Sequence, residues 1–246
     1  MRITAKTDIG NGRAENQDNY RAFQYPNDMA WAVVCDGMGG AKSGQTASRV
    51  GVEMLREYAE KQLETLPAEK EEEYLCSSIQ EVNRKIYELA QADPAMAGMG
   101  TTVVQTIVRG GTAHIAHMGD SRAYLFHDDQ LRQITRDHSY VQEMVDNGML
   151  SAEEAEKHPK KNLITRALGV SLTGQAEYTA CPVEAGDILL ICTDGLSNTL
   201  PLQTMQELLQ KTQFFDTANV LVEHALQEGA QDNITVLLIG IEPVEA

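Results

Sequence analysis

Short runs of consecutive apolar residues alternate along this chain with longer segments in which apolar residues recur every three or four positions. Residues 30–35 (AWAVVC) and 187–193 (DILLICT) form runs of the first kind, typical of strands that are buried on both faces. Residues 2–8 and 233–241 predict two further strands near the ends of the chain.

Helical periodicity is clearest in the first half of the chain. It predicts one helix from Ser43 to about Leu63 and a second over about 72–92, where apolar residues step by four and three positions. Shorter helices are predicted over 201–210 and 215–228. We interpret the apolar stripe of the second helix as a core-packing face and not as a binding surface.

Two predicted hairpins follow the second helix. Residues 101–108 and 112–119 form the first, and residues 121–126 and 130–135 form the second. Consecutive hairpins indicate antiparallel sheet, and helices segregated from strands indicate the α+β class. The polar, interrupted segment 138–168 predicts small surface helices that form a flap.

Composition and charge narrow the class of protein. The 246 residues can bury a sizeable core, and 20 basic against 36 acidic residues give a net charge of −16. This balance disfavours nucleic acid and anionic membrane surfaces as partners and favours cations. The four cysteines form no C-x-x-C pair, and neither a secretory segment nor an apolar run of the roughly 20 residues that span a bilayer is visible. We therefore expect a cytoplasmic protein with buried free thiols.

Four aspartates lie next to apolar strands. Asp36 and Asp194 directly follow the two continuous apolar runs, Asp232 directly precedes the last strand, and Asp120 lies between two hairpin strands. One such aspartate is usually a turn residue or a helix cap. Four of them predict a shared cleft, in which the carboxylates repel one another unless a cation neutralises them. Ligands that are all oxygen suit Mg²⁺ or Mn²⁺.

Seven segments resemble, in order, the motifs of the metal-dependent protein phosphatase family (PPM, type 2C), in particular its compact bacterial members. They are RAENQD (13–18), VVCDGMGG (33–40), GTT (100–102), GDSRAYL (119–125), ITRDHS (134–139), LLICTDGLSN (189–198) and QDNITVLL (231–238). The resemblance implies a four-layer αββα sandwich, in which two antiparallel sheets face each other and helices lie outside. It also implies that residues 1–246 form a single domain, with the flap at about 138–168.

The resemblance also implies a centre for two Mn²⁺ or Mg²⁺ ions. In the family's pattern Asp36 would bridge the two ions, and Asp194 and Asp232 would complete the coordination of one of them. The carbonyl of Gly37 would ligate the other ion, and Asp18 would hold its waters.

Two more residues and a reaction follow from the same resemblance. Asp120, with Asp194, matches the position at which bacterial members bind a third metal ion more weakly. Arg13 matches the arginine that binds the substrate phosphate. The implied reaction is hydrolysis of phosphoserine and phosphothreonine by a metal-bridging hydroxide. The implied partners are phosphoproteins and a cognate serine/threonine kinase, and we expect a monomer.

Three positions depart from the family's pattern. Gln17 stands where many animal members have Glu, Met38 stands where those members have a His proposed as general acid, and Ala41 stands where many bacterial members have His. The general acid is therefore unassigned. Two alternatives stay open: a metal-binding pseudophosphatase that acts as a phosphoprotein-binding module, and a fold relative that acts on one anti-sigma-factor partner.

Four other polar residues have ordinary structural interpretations. His114 and His117 lie three apart in a predicted strand and so point to opposite faces, which makes them a poor metal pair. We expect His138 to cap or order the flap rather than to transfer protons. Asn233 either orients Asp232 or simply begins a strand.

Overall fold

The computed structural model describes residues 1–26 and 28–243, without the side chains of residues 41 and 42. The strands are β1 (Arg2–Asp8), β2 (Asp18–Tyr25), β3 (Met29–Met38), β4 (Gly100–Thr101), β5 (Val103–Arg109), β6 (Thr112–Met118), β7 (Arg122–His127), β8 (Gln130–Gln133), β9 (Glu177–Pro182), β10 (Ile188–Cys192) and β11 (Ile234–Gly240). The helices are α1 (Ala41–Gln62), α2 (Glu71–Ala92), α3 (Tyr140–Asp146), α4 (Ala152–Glu156), α5 (Asp194–Ser197), α6 (Leu202–Lys211) and α7 (Phe214–Gln227). Short 3-10 turns follow α1 and α2, over Leu63–Thr65 and Pro94–Met96.

The strands form two antiparallel sheets. Sheet I has the order β1-β11-β10-β7-β8, and sheet II has the order β2-β3-β5-β6-β9, with β4 paired to the end of β3. Both predicted hairpins are present, as β5-β6 in sheet II and β7-β8 in sheet I. The first and last strands of the chain pair with each other along their whole length in sheet I.

Strand β3 shows why the apolar runs are continuous. Trp31, Val33 and Cys35 pack against α1 and α2, whereas Ala32 and Val34 pack against sheet I. Because successive side chains of a strand point to opposite faces, a strand in an inner layer must be apolar at every position.

Strand β10 is buried in the same way on the other side of the molecule. Leu190 and Cys192 pack against α6 and α7, and Leu189 and Ile191 face sheet II. One apolar layer thus lies between the sheets and one lies under each pair of helices. The predicted αββα sandwich of the α+β class is confirmed.

The structure differs from the sequence-based prediction at three strands. Asp36 lies inside β3 and not at its end, because pairing with β4 extends the strand to Met38. Strands β2 and β9 were not predicted. They are half-buried strands that mix polar and aromatic residues, and so they lack an apolar run.

The segment 138–168, which the sequence predicts to be a flap, contains two short helices. Its helices α3 and α4 begin at the side-chain caps Ser139 and Ser151, the second of which forms a capping box with Glu154. An isolated antiparallel bridge between Ser139 and Ile164 brings the two ends of this segment together.

The cysteines are free thiols, and Cys35 and Cys192 are completely buried. Burial raises the pKa of Cys192 to about 12 and that of Cys35 further, so both are protonated, unreactive core residues. In the described part of the chain, no helix is both long enough and apolar enough to cross a membrane.

Candidate active site

Two carboxylates face each other across the first strand pair of sheet II. Asp18 opens β2 and lies directly opposite Asp36 in β3. Asp18 Oδ2 accepts hydrogen bonds from the hydroxyls of Thr193 (2.8 Å) and Thr235 (2.7 Å), which belong to the sheet I side. Its other oxygen, Oδ1, is buried and has no hydrogen-bond partner among the described residues. Asp18 therefore links the two sheets through one oxygen and leaves the other unpaired.

Sheet I contributes two more carboxylates. Asp194 begins α5 immediately after β10, and Asn198 donates to its Oδ2 at 3.0 Å, whereas its buried Oδ1 has no partner in the described part of the chain. Asp232 lies two residues before β11, and the backbone N–H of Asn233 donates to its Oδ1 at 2.8 Å. A Cβ at Gly195 would lie 2.0 Å from the carbonyl oxygen of Asn233, so only glycine allows the two segments to approach this closely.

Thr102 connects the backbone of Asp36 to the turn that carries Asp120. Its hydroxyl accepts the Asp36 N–H at 3.0 Å and shares a 2.7 Å hydrogen bond with the Ser121 hydroxyl. Its backbone N–H donates to the Asp36 carbonyl at 2.8 Å. The fourth predicted aspartate is thus fixed relative to Asp36 by a buried side chain.

Gly37 lies where β3 touches the beginning of α1. Its N–H donates to the Gln17 carbonyl at 3.2 Å, and a Cβ there would lie 2.2 Å from the Gly44 carbonyl oxygen. The neighbouring Met38 has no proton that it could give to a leaving group. The Ala41 side chain lies outside the described residues.

These residues line a cleft of about 500 Å³ at one edge of the two sheets. Six of the seven predicted site residues are on its wall: Arg13, Asp36, Gly37, Asp120, Asp194 and Asp232. The seventh, Asp18, is 6% exposed and is paired to Asp36 without being on the wall itself. From the flap, Asn162 and Ile164 also reach the cleft.

Arg13 brings positive charge to the cleft. Its Nη2 donates to Asp232 Oδ2 at 2.6 Å, and this bond raises the pKa of the guanidinium. The Arg13 side chain is 55% exposed, so its remaining N–H groups face solvent at the mouth of the cleft. A planar guanidinium with free N–H groups is suited to the oxygens of a phosphate.

The carboxylates of the cluster resist ionisation. Burial, followed by the charge of Asp194, raises the pKa of Asp120 to about 8, and burial raises that of Asp18 to about 7. Burial and then Asp232 raise the pKa of Asp194 to about 6. Burial and then Asp18 raise the pKa of Asp36 well above its ordinary value.

These properties fit a divalent metal centre. The buried oxygens Asp18 Oδ1 and Asp194 Oδ1 have no donor among the described residues, and buried acceptors are normally satisfied. A hard cation would supply the missing partner and would remove the mutual repulsion that raises the pKa values. The donors are all oxygens, as Mg²⁺ and Mn²⁺ prefer.

The sequence analysis missed the residues that hold these carboxylates. Thr193, Thr235, Thr102 and Asn198 each bond directly to one of the aspartates or to its backbone. All four lie inside the quoted motifs, within four residues of an aspartate or of a glycine. Their place inside the motifs was the one signal that could have identified these residues. The aspartates that they bond to lie across the sheets, and the sequence alone could not pair them.

A second group of possible metal ligands lies at the base of the flap. Ligand atoms of His117, His138 and Glu177 come within 4.8 Å of one another. The two imidazole rings are stacked, however, with 4.6 Å between centroids and 11° between planes, so their in-plane lone pairs are parallel and do not converge. His138 Nδ1 accepts the Gly119 N–H at 3.2 Å, so its proton is on Nε2, which faces Glu177 at 3.3 Å. In this arrangement His138 forms hydrogen bonds with Gly119 and Glu177 and does not form a metal site with them.

The backbone of His138 agrees with the expectation that this residue orders the flap. Its backbone N–H donates to the Gly119 carbonyl at 2.9 Å, and its carbonyl accepts the Thr165 N–H at 2.8 Å. His114 instead bonds to the Tyr178 hydroxyl at 2.8 Å, on the other face of β6 from His117, so these two histidines are not a metal pair.

Asn233 does more than begin a strand. Its side chain accepts the Gln17 N–H at 2.8 Å and donates to the carbonyls of Ile9 (2.8 Å) and Glu15 (3.0 Å). Because its own N–H binds Asp232, Asn233 both orients that carboxylate and orders the segment that carries Arg13.

An αββα sandwich with a cluster of carboxylates and an arginine at one edge is the arrangement that the resemblance to the metal-dependent phosphatases implies. A model described as "Protein phosphatase 2C" matches residues 9–238, and the chain belongs to this family. The family resemblance of the seven motifs is thereby confirmed.

Relatives in sequence and in structure match this chain over almost its whole length. The chain is 39% identical over 240 residues to "Serine/threonine phosphatase stp" of Listeria innocua serovar 6a, covering 97% of this chain and 95% of that protein. The S. agalactiae serine/threonine phosphatase structure superposes with a TM-score of 0.90 at 34% identity, covering 98% and 99% of the two chains. The catalytic domain of the serine/threonine protein phosphatase PstP, in complex with two manganese ions, gives 0.85 at 33% identity, covering 98% of each chain.

Proposed function

We propose that this chain is a metal-dependent protein phosphatase that hydrolyses phosphoserine and phosphothreonine. The observation that carries the proposal is the cleft itself: carboxylates with raised pKa values line it beside the exposed Arg13, and among the described residues Asp194 Oδ1 is buried without a hydrogen-bond partner. Relatives that are named serine/threonine phosphatase or type 2C protein phosphatase, and that match nearly the full chain, support the same activity.

Two Mn²⁺ or Mg²⁺ ions would be held by Asp36, Asp194 and Asp232, by the Gly37 carbonyl, and by Asp18 through water. Asp120, with Asp194, would hold a third ion. When bound, the ions would supply an activated water and would offset the charge that develops on the phosphoryl group.

The chain's own residues perform the binding and positioning. Arg13 would bind the phosphoryl oxygens through the N–H groups that Asp232 leaves free, and the bond to Asp232 orients the guanidinium. The two threonine hydroxyls orient the Asp18 carboxylate, and their hydrogen bonds oppose the burial that raises its pKa. Because Met38 cannot donate a proton, we propose that the leaving-group oxygen takes its proton from water or from a substrate group.

The alternative of a pseudophosphatase is not favoured. A module that only bound phosphoproteins would need the arginine but would have no need of the full carboxylate set, and every predicted metal ligand except the buried Asp18 lines the cleft. Release of phosphate from an aryl phosphate in the presence of Mn²⁺ separates the two functions. A relative that acts on a single anti-sigma-factor partner would be distinguished by its failure to act on other phosphoproteins.

The setting of the activity follows from the same proposal. The substrates would be phosphoproteins that a cognate serine/threonine kinase has modified. We propose that residues 1–246 act as one domain and as a monomer in the cytoplasm, without nucleic-acid or membrane partners, since the net charge of −16 repels polyanions.

The test replaces single carboxylates by amides. Asp36→Asn and Asp232→Asn should abolish phosphopeptide hydrolysis while circular dichroism and thermal unfolding still show a folded protein. The matched control is Asp129→Asn in the β7–β8 turn, where the backbone φ of 59° suits asparagine and where activity should be unchanged. Turnover by the wild-type protein in excess EDTA would contradict the proposed mechanism.

A further inference from the structure

The hydrogen-bond ladder of sheet II changes at one residue pair beside the cleft. Strand β3 pairs with β5 as far as Val34 and with β4 from Gly37 onward, and Asp36 lies between these stretches, opposite Thr102. Two residues in such an antiparallel pair normally exchange two N–H···O=C bonds. The Thr102 N–H donates to the Asp36 carbonyl at 2.8 Å, but the Asp36 N–H donates to the Thr102 hydroxyl at 3.0 Å. A side chain has thus replaced a backbone acceptor at a predicted metal ligand.

The Thr102 hydroxyl extends beyond the ladder to the turn that carries Asp120. This turn, residues 119–121, leads from β6 in sheet II to β7 in sheet I. The hydroxyls of Thr102 and Ser121 share a hydrogen bond of 2.7 Å, and we call these two groups the hydroxyl pair. Because side chains project out of a sheet, a hydroxyl can reach a neighbouring turn that a ladder carbonyl cannot. The hydroxyl pair therefore joins the backbone of Asp36 to the residue that follows Asp120.

The hydroxyl pair is shielded from water. Thr102 is 3% exposed and Ser121 is 1% exposed. Gly119, at the beginning of the turn, has a φ of 117°, and a Cβ there would lie 2.6 Å from Thr102 Cγ2, so the turn packs directly on the threonine. A hydrogen bond in such surroundings is stronger than one in water, and a partner that is left unpaired there is costly.

The position of the Asp120 carboxylate depends on this turn. In the described part of the chain no side chain donates a hydrogen bond to Asp120, whereas Asn198 donates to Asp194 at 3.0 Å. The backbone of the turn must therefore set where the Asp120 carboxylate lies. Thr102, Asp36 and Asp120 all line the catalytic cleft, so a shift of the turn would move one predicted ligand relative to another.

We propose that Thr102 is a positioning residue that fixes Asp120 relative to Asp36, and that the hydroxyl pair sets the affinity of the Asp120 site for its ion. This inference rests on the proposed phosphatase function, which places a third ion at Asp120 and Asp194. Thr102 takes no part in the chemistry in this proposal. The affinity of the Asp120 site is thereby linked to the residue that is proposed to bridge the other two ions.

The test measures Mn²⁺ binding by titration calorimetry in four variants. Ser121→Ala removes the hydroxyl pair and keeps the acceptor of the Asp36 N–H, Thr102→Val removes both, and Thr102→Ser keeps both. Thr106→Val is the matched control, because Thr106 is also fully buried and its hydroxyl also makes one hydrogen bond, to the His114 carbonyl at 2.9 Å. Thr106 is not on the wall of the cleft. Thermal unfolding of each variant checks that it is folded.

The expected result is selective for the third, weaker ion. Ser121→Ala should raise the dissociation constant of this ion about tenfold and leave the two tighter ions unchanged, since loss of a group that orients a metal ligand costs roughly 10–100-fold in affinity. Thr102→Val should also weaken the tighter ions, because the Asp36 N–H loses its acceptor. Thr102→Ser and Thr106→Val should bind Mn²⁺ as wild type does. Combining Ser121→Ala with Thr102→Val should not weaken the third ion beyond Thr102→Val alone, because both changes break the same bond.

Three results in the variants would overturn the proposal. They are unchanged affinity for the weaker ion in Ser121→Ala, an equal loss of that affinity in Thr106→Val, and equal losses in Thr102→Ser and Thr102→Val. Wild type that binds only two Mn²⁺ ions would also overturn it and would leave the two-ion chemistry intact. Wild type that neither binds Mn²⁺ nor hydrolyses a phosphopeptide, in contrast, would refute the phosphatase function itself.

Discussion

The carboxylate cluster predicts an unusual pH dependence of stability in the metal-free protein. Asp18 and Asp120, with pKa values raised to about 7 and about 8, hold their protons in the folded protein at pH values where the unfolded chain has lost them. The folded state therefore binds more protons than the unfolded state, and the free energy of unfolding falls as pH rises through this window.

The magnitude follows from the pKa values. Each group contributes about 1.4 kcal/mol per pH unit between its unfolded and folded pKa. The interval from pH 6.5 to 8 lies between the unfolded and folded pKa values of Asp120. For this group alone we therefore expect the free energy of unfolding to fall by about 2 kcal/mol, which lowers Tm by roughly 4–8 °C for a domain of this size. His138 acts in the opposite direction, because burial lowers its pKa to about 4, but its effect ends near pH 6.5.

The assay is thermal unfolding in EDTA at pH 6.5 and 8, repeated with Mn²⁺. Mn²⁺ should remove the loss, because a bound cation replaces the protons. Asp36→Asn is the control: the amide cannot titrate, so the contribution of Asp36, whose pKa burial raises well above its ordinary value, is lost and the decrease with pH should be smaller. A metal-free Tm that stays level or rises between pH 6.5 and 8 would refute this reasoning.

Three further changes test other parts of the structure. Arg13→Ala should lower kcat/KM on a phosphopeptide about 10²-fold by removing phosphate donors, with Arg13→Lys recovering only part of it; equal activity of all three proteins would contradict this role. Thr235→Val should weaken Mn²⁺ binding in calorimetry, because Asp18 loses one of its two donors and its pKa rises further; unchanged affinity would contradict it. Glu71→Ala should lower the free energy of unfolding in urea by about 3–5 kcal/mol, because the charge of the Arg109 guanidinium loses its carboxylate partner, and it should leave kcat unchanged. A loss no larger than that of an exposed ion pair would contradict this role of the Arg109–Glu71 pair.

The sequence predicted those parts of the fold that depend on local pattern. The doubly buried strands β3, β10 and β11, both long helices and both hairpins follow from apolar periodicity. Strand β2 escaped prediction because its partners supply its order: it pairs with β3 in register, and its first residue, Asp18, is held from sheet I. Such long-range pairing leaves no periodic trace in the sequence.

The candidate site likewise contains residues that the sequence predicts and residues that it does not. The aspartates could be found because motifs and strand edges mark them. The threonines that hold Asp18 could not, since Thr193 and Thr235 lie 175 and 217 residues away from it in the chain.

The carboxylates of the cleft come from both sheets. Asp18 and Asp36 belong to sheet II, and Asp194 and Asp232 belong to the strand ends of sheet I. A cation shared among them would act as a cross-link between the two halves of the sandwich, and it could bind fully only where the halves are already docked. Substitutions deep in the layer between the sheets, far from any ligand, should therefore change metal affinity, and metal occupancy should report on the packing of the whole core.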